Sequence, residues 1–362
     1  MITLCRQCNE RFGSFFSEGE CVICGGAMEK VPLLAENGAK LIPGDWDSFS
    51  ISTSIPKEML IAEEGAFDYC LGEGIKSALN HVLSEMVSEL SGKPYSPAEG
   101  SGRLVFDMRS LTVSAVGELL FIFGRYRKLA AGISQSRWDC RKCGGRGCPH
   151  CEGKGRMYES VEEIISAPLE KRTGGKAVLH ASGREDVDVK NSAGRPFVLG
   201  ISGVEKRKPD LEAAEGEIRE DGRVEVSDLR FVHRSAVGLV ADSHFPKVYS
   251  AIVEVEGGAS EAELEKISSF DEVLSQRTPS RVAHRRADRV RKRRAKVVRA
   301  ELEGGKLAVE VEAEAGAYIK ELVNGDGGRT VPSFSSVLEK GCSCTSLEVV
   351  GIHDDFLRLV LG

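Results

Sequence analysis

The sequence contains no run of eighteen apolar residues, so it offers no segment able to cross a membrane as a single helix. Its opening residues, MITLCRQCNE, lack the apolar stretch of a secretory signal. The expectation is a cytoplasmic protein with no membrane partner. Two glycine motifs are also missing. No G-x-G-x-G loop follows a strand-like run, and GEGIKS at 72–77 falls short of the full G-x4-G-K-[ST] phosphate loop. That stretch reads as an ordinary helix start. Both absences argue against a methyltransferase or a thiolase, whose cofactors need such loops.

What is present begins with length and charge. At 362 residues the chain has room for two or three domains, and its 41% apolar content is that of a globular protein. The net charge of −6 conceals an asymmetry. Residues 277–299, RTPSRVAHRRADRVRKRRAKVVR, hold eleven Lys and Arg against one Asp, a local +10 that leaves −16 on the remainder. Such positive charge density favours a polyanionic partner, nucleic acid first, because binding releases condensed counterions. The alternative is a solvated basic helix balancing acidic surface elsewhere.

Of eleven cysteines, eight form two tetrads, Cys5/Cys8/Cys21/Cys24 and Cys140/Cys143/Cys148/Cys151. Without an export signal, paired C-x2-C spacing reads as metal binding rather than disulfides. Residues 1–30 resemble a zinc ribbon whose four thiolates fill a tetrahedral site and leave no open position, a structural role. Residues 31–136 read as a mixed α/β module. Residues 137–159 hold the second tetrad, expected to bind a second zinc as a clip between domains. From 160 to 362 strand-like runs alternate with insertions and no regular β-α-β rhythm, which predicts one large α+β domain on a mixed sheet. Within it, SVEEIISAPLEKRTG predicts a helix capped by Ser160 with Glu163 in the capping-box position.

One stretch, HASGREDVDVKNSAGRPF at 180–197, carries the candidate chemistry. Read as a strand over 184–189, it puts Arg184, Asp186 and Asp188 on one face and Glu185, Val187 and Val189 on the other. The valines mark the second face as buried. Two aspartates about 7 Å apart along a strand suit an acid/base pair, a hard-metal site or plain salt bridges, and the residues alone do not choose.

GREDVDV with GRPFVLGI resembles the catalytic motif of the Pus-ten family of tRNA pseudouridine synthases in its archaeal form. KVYSAIV (247–253), QRTPSRVAHRRADRVR (276–291) and GAYIKELVNGDGGRTVPS (316–333) resemble the same family in the same order. The resemblance implies a pseudouridine-synthase-type domain with a mixed, mainly antiparallel sheet, preceded by a zinc ribbon and a THUMP-like RNA-binding domain over 31–136. It implies isomerisation of uridine to pseudouridine at position 55, and also 54, of the TΨC loop of tRNA, by a monomer needing structural zinc and no organic cofactor.

By the same resemblance Asp186 is the catalytic carboxylate and Asp188 supports it. Lys320 pairs with Asp186, Arg184 being the alternative partner, and Tyr249 offers the flipped uracil a face to stack on. Arg285, Arg286, Arg289, Arg291, Arg293, Arg294 and Arg329 are the candidates for phosphate contacts. The alternative function is a zinc-containing tRNA-binding protein or RNA chaperone without catalysis, which would not need the Asp, Tyr and Lys set.

Overall fold

A computed structural model describes residues 2–98 and 100–361, with the side chains of His284, Arg285 and Leu361 outside the described set. The expectation for Arg285 therefore lies outside the described residues. The chain forms two compact units, one of residues 1–120, 173–175 and 202–208, the other of residues 121–172, 176–201 and 209–362.

In the first unit β1 (Thr3–Leu4) and β2 (Ser17–Glu18) pair in parallel beside the first cysteine tetrad. A three-stranded sheet follows, with β3 (Phe49–Ser54) parallel to β4 (Gly102–Asp107) and β5 (Thr112–Gly117) antiparallel to it. The helix Val31–Leu41 buries Val31, Leu34, Ala35 and Gly38, the one-face spacing of an amphipathic helix. After β3 the chain forms two helices with a break between them, Lys57–Phe67 and Ile75–Ser91, the second starting inside GEGIKS as the sequence reading expects. Glu63 governs the break: its buried carboxylate pairs with Arg11 at 2.5 Å and accepts the free backbone N–H of Ile75 at 2.7 Å. Cys8, Cys21 and Cys24 share one apolar core with Leu79, Leu83 and Phe106, so the ribbon packs as part of this unit.

The second unit is built on a ten-stranded sheet. Its strands are β6 (Leu120–Lys128), β7 (Lys176–Ala181), β8 (Lys190–Ser202), β9 (Val224–Phe231), β10 (Lys247–Val255), β11 (Asp271–Arg277), β12 (Val290–Glu303), β13 (Lys306–Ala313), β14 (Thr330–Val331) and β15 (Cys342–Ile352). The order is β14-β11-β12-β13-β10-β15-β8-β6-β9, with β7 on β8. Pairing is antiparallel throughout β14-β11-β12-β13-β10-β15 and between β6 and β9, and parallel between β15 and β8. The expected α+β class with a mixed, mainly antiparallel sheet is the one found.

Strand periodicity explains the sheet. β13 buries Leu307, Val309, Val311 and Ala313 and turns the residues between them outward. From Val290 the basic segment does the same: Ala295 and Val297 face the core while Lys292, Arg294 and Lys296 point outward, so this part is a strand, preceded by a short 3-10 turn over Ser280–Arg285. Phe270, Leu322, Val323 and Phe334 close this core over the sheet. One boundary differs from the sequence reading. Residues 121–136 were assigned by pattern to the first module, yet β6 pairs with β9 and belongs to the large sheet. Its burial is nearly continuous, which marks a central strand and hides the alternation of a half-exposed one. The helix Val161–Thr173 starts as expected, with the Glu163 backbone N–H on Ser160 Oγ at 3.2 Å and Ser160 Oγ on the Glu163 carboxylate at 2.8 Å.

Candidate active site and metal centres

Residues 182–189 form a loop between β7 and β8, not the strand the alternation predicts. Gly183 turns the chain out of β7 at φ +78°, a left-handed conformation open to glycine, and a Cβ there would stand 3.1 Å from the Arg195 guanidinium. The sorting of faces survives in part: Glu185 and Val189 are buried and Arg184 and Asp188 exposed, but Val187, expected on the buried face, is half-buried like Asp186 because the backbone turns there. Beneath the loop Glu185 pairs with Arg195 of β8 at 2.8 Å, both side chains 1% exposed. The Tyr126 hydroxyl donates to Glu185 at 2.7 Å, and Arg195 donates to the Ser182 carbonyl at 2.5 Å. Burial opposes the charge on Arg195, but Glu185 together with Tyr126 and Tyr249 outweighs it, leaving its pKa above the ordinary value.

Asp186 and Arg184 open onto a cleft of about 660 Å³ whose walls include Tyr249, Arg281, Tyr318 and Lys320. Arg281 pairs with Asp186 at 2.7 Å and with Glu321, whose side chain is 4% exposed, at 2.7 Å. Burial works against the Arg281 charge, but Glu321 and then Asp186 outweigh it and raise its pKa. Lys320, expected on Asp186, instead donates to both oxygens of Asp188, at 2.6 and 2.7 Å, and stands 3.8 Å from Asp186. Despite partial burial, this bond holds the Asp188 carboxyl below the usual aspartate range. Arg184, the alternative partner, reaches Gln135 at 3.4 Å rather than either aspartate. The short helix Ile319–Asn324 presents Lys320 because Ile319, Leu322 and Val323 anchor it in the core. Gln276, 1% exposed, fixes its start by exchanging hydrogen bonds of 2.9 Å with the backbone N–H and carbonyl of Tyr318.

Tyr249 lines the cleft from β10, and burial raises its pKa. Lys247, two residues before it, also lines the cleft, with its pKa lowered to about 8 by burial and by Arg195 nearby. The expected phosphate-binding arginines separate. Arg286, Arg291 and Arg293 line the cleft. Arg294 lies on the other face of β12 and pairs with Asp271 at 2.9 Å. Arg289 is exposed outside the cleft wall. Arg329 is committed to its own loop, donating to the Thr278 carbonyl at 2.6 Å and pairing with Asp288 at 3.1 Å. Pattern reading missed Arg281, Glu321 and the Glu185–Arg195 pair. Arg281 stood inside the basic segment, where no local signal set it apart from its neighbours.

Both cysteine tetrads converge, the four sulfurs of each lying within 4.8 Å of one another. A tetrahedral ion with metal–sulfur bonds of about 2.3 Å places its sulfurs about 3.8 Å apart. Cys5 and Cys24 are 3.6 Å apart; Cys140–Cys148 and Cys143–Cys151 are both 3.9 Å, and Cys148–Cys151 is 3.8 Å. In the second tetrad the backbone N–H groups of Gly147 and Gly155 donate to Cys143 and Cys151 sulfurs at 3.2 and 3.3 Å, as suits thiolate ligands. The two knuckles interlock so closely that a Cβ on Gly155 would meet the Gly145 carbonyl at 2.3 Å. Both groups fit a closed four-thiolate metal centre, which cross-links the chain and offers no position for a reactant.

The sequence profile described as Pus10, C-terminal matches residues 121–353, starting where the second unit starts. The tRNA pseudouridine synthase Pus10 of Methanothermobacter marburgensis is 42% identical over 95% of this chain and 89% of its own length. Its namesake in Methanothrix thermoacetophila is 36% identical over 96% of this chain and 80% of its own. That of Methanocaldococcus jannaschii is 38% identical over 93% and 76%. Among solved structures, a chain of a Cbf5-Nop10-Gar1 complex is 18% identical over 52% of this chain and 44% of its own, with a TM-score of 0.30. The three archaeal relatives align with both units and the cleft between β10, β12 and the Asp186 loop falls inside the matched profile: the chain belongs to the Pus10 family of tRNA pseudouridine synthases.

Proposed function

We propose that this enzyme isomerises uridine 55, and also uridine 54, in the TΨC loop of tRNA, with Asp186 as the carboxylate that acts on the ribose. The reaction breaks the N1–C1′ bond, turns the uracil and joins C5 to C1′, with no redox change. The observation that carries the reading is the setting of Asp186. Its carboxylate sits in a cationic cleft, oriented by Arg281 at 2.7 Å with Lys320 at 3.8 Å. Those cations stand where charge shifts as the glycosidic bond breaks, without reorganisation of solvent. Tyr249 supplies the ring on which the flipped base stacks, and Asp188 holds Lys320 in place.

Arg286, Arg291 and Arg293 take the phosphates that flank the extruded nucleotide, and the first unit takes the THUMP-like RNA-gripping role. Affinity for a tRNA transcript is expected to fall steeply with salt. Replacing any one of these three arginines by alanine lowers the log–log salt slope by about 1. Arg294→Ala leaves it nearly unchanged, because Arg294 is already paired with Asp271. Equal slopes for all four variants would remove the cleft arginines from the RNA path.

The two tetrads hold structural zinc in this reading. Metal analysis of the purified protein is expected to give about two zinc ions per chain. Replacing Cys8 and Cys24 by serine removes one of them and lowers the melting temperature of the first unit, because those thiols lie in its core. A full-length preparation without zinc, or one filled with iron, contradicts the assignment.

A further inference from the structure

The Asp186 loop is held from its inner side by residues that have no part in the chemistry above. Lys128, the last residue of β6, is 0% exposed. Its ammonium donates to the carbonyl of Asp186 at 3.0 Å and to that of Val187 at 2.9 Å. Gln135, 6% exposed, donates to the Gly183 carbonyl at 2.8 Å and to the Tyr126 hydroxyl at 2.9 Å. The backbone N–H of Gly132 donates to the Val187 carbonyl at 2.9 Å. The Asp186 carbonyl also accepts the Val189 backbone N–H at 3.1 Å, a turn within the loop itself, so the carbonyls around the Asp186 side chain are held by that turn and by one short segment, 128–135, and not by a strand ladder.

A buried ammonium is an expensive way to fill space. Burial pulls the Lys128 pKa below the ordinary lysine value, against the pull of Glu185, Asp188 and Asp186. An apolar side chain of similar volume would pack there without that desolvation cost. It would not fix two successive carbonyls, and those two carbonyls set the backbone from which the Asp186 carboxylate projects. Gln135 fixes the loop at its other end, at Gly183.

We propose that Lys128 and Gln135 are positioning residues for Asp186: they hold the carbonyls of Gly183, Asp186 and Val187 so that the carboxylate stays in line with the ribose. This rests on the reading of Asp186 as the reacting group. A displacement of about 1 Å in a reacting group costs on the order of 10²-fold in rate. The test uses the full-length enzyme in excess over a tRNA transcript, with Lys128→Met and Gln135→Leu as separate variants. Saturating single-turnover rate constant, tRNA Kd and melting temperature are measured for each.

The expected result is a rate constant lower by roughly 10- to 100-fold with tRNA Kd unchanged within about twofold. A lower melting temperature with the wild-type rate constant overturns the proposal, because the two residues then only stabilise the fold. Wild-type values throughout overturn it as well. If Lys128→Met does not fold, Gln135→Leu decides by the same readouts. Asp186→Asn, run alongside, separates the two readings. Activity in Asp186→Asn removes the catalytic assignment itself. Its inactivity beside unimpaired Lys128→Met and Gln135→Leu removes only the positioning role.

Discussion

Asp186→Asn is expected to lower pseudouridine formation by on the order of 10⁴-fold or more while leaving tRNA affinity within about twofold of wild type. The amide is nearly isosteric with the carboxylate, so it keeps the loop and the cleft. It can neither attack C1′ nor take a proton at C2′. Its carbonyl oxygen still accepts from Arg281, whose second partner, Glu321, is untouched. Asp188→Asn gives a different outcome. Asp188 is 68% exposed at its side chain and bonded to Lys320, so that variant loosens Lys320 and slows the reaction without abolishing it. Single-turnover rates and filter-binding constants for the two variants distinguish these roles. Full activity in Asp186→Asn with loss in Asp188→Asn would exchange them.

The second large effect falls on stability. Glu185 and Arg195 form a buried pair at 2.8 Å with each side chain 1% exposed, and the pair is braced by Tyr126 and the Ser182 carbonyl. Glu185→Ala strands the guanidinium of Arg195 in the protein interior. Breaking a buried pair from one side costs about 3–5 kcal/mol, whereas replacing both members by apolar residues of similar volume costs far less. Urea unfolding of Glu185→Ala is therefore expected to show a loss of about that size, with Glu185→Met/Arg195→Met recovering most of it. A loss near 1 kcal/mol in the single variant, the size of an exposed pair, would contradict the burial described above. The same variants report on function, because the pair lies directly under the Asp186 loop.

What was legible in the sequence is what depends on near neighbours. The tetrads follow from C-x2-C spacing, since each knuckle is local and only the pairing of two knuckles is long-range. The strands around KVYSAIV and KLAVEVEA follow from period-two burial. The division of 184–189 into a buried Glu185 face and an Asp186 face was also legible, although the backbone there is a loop. Alternation reports which side chains are inward, and it cannot tell a ladder from a loop whose carbonyls are taken by Lys128 and Gln135.

The partners of Asp186 were not legible, because they come from distant parts of the sheet. Arg281 arrives from the connection after β11 and is selected from its basic neighbours by the buried Glu321. Lys320 was found by resemblance, yet its nearest carboxylate is that of Asp188, a choice between two acids two residues apart that only side-chain placement makes. The placing of residues 121–136 in the first module fails for a related reason. LFIFGRYRK reads equally well in either unit, and its pairing with residues 224–231 decides.

The most direct measurement of the central claim is a nucleotide-resolution map of pseudouridine in an unmodified tRNA transcript after incubation with wild type and with Asp186→Asn. The account predicts pseudouridine at position 55, and at 54, with the wild type and at neither with the variant. Unchanged uridines after incubation with the zinc-loaded wild type, or the same two marks left by Asp186→Asn, would contradict it.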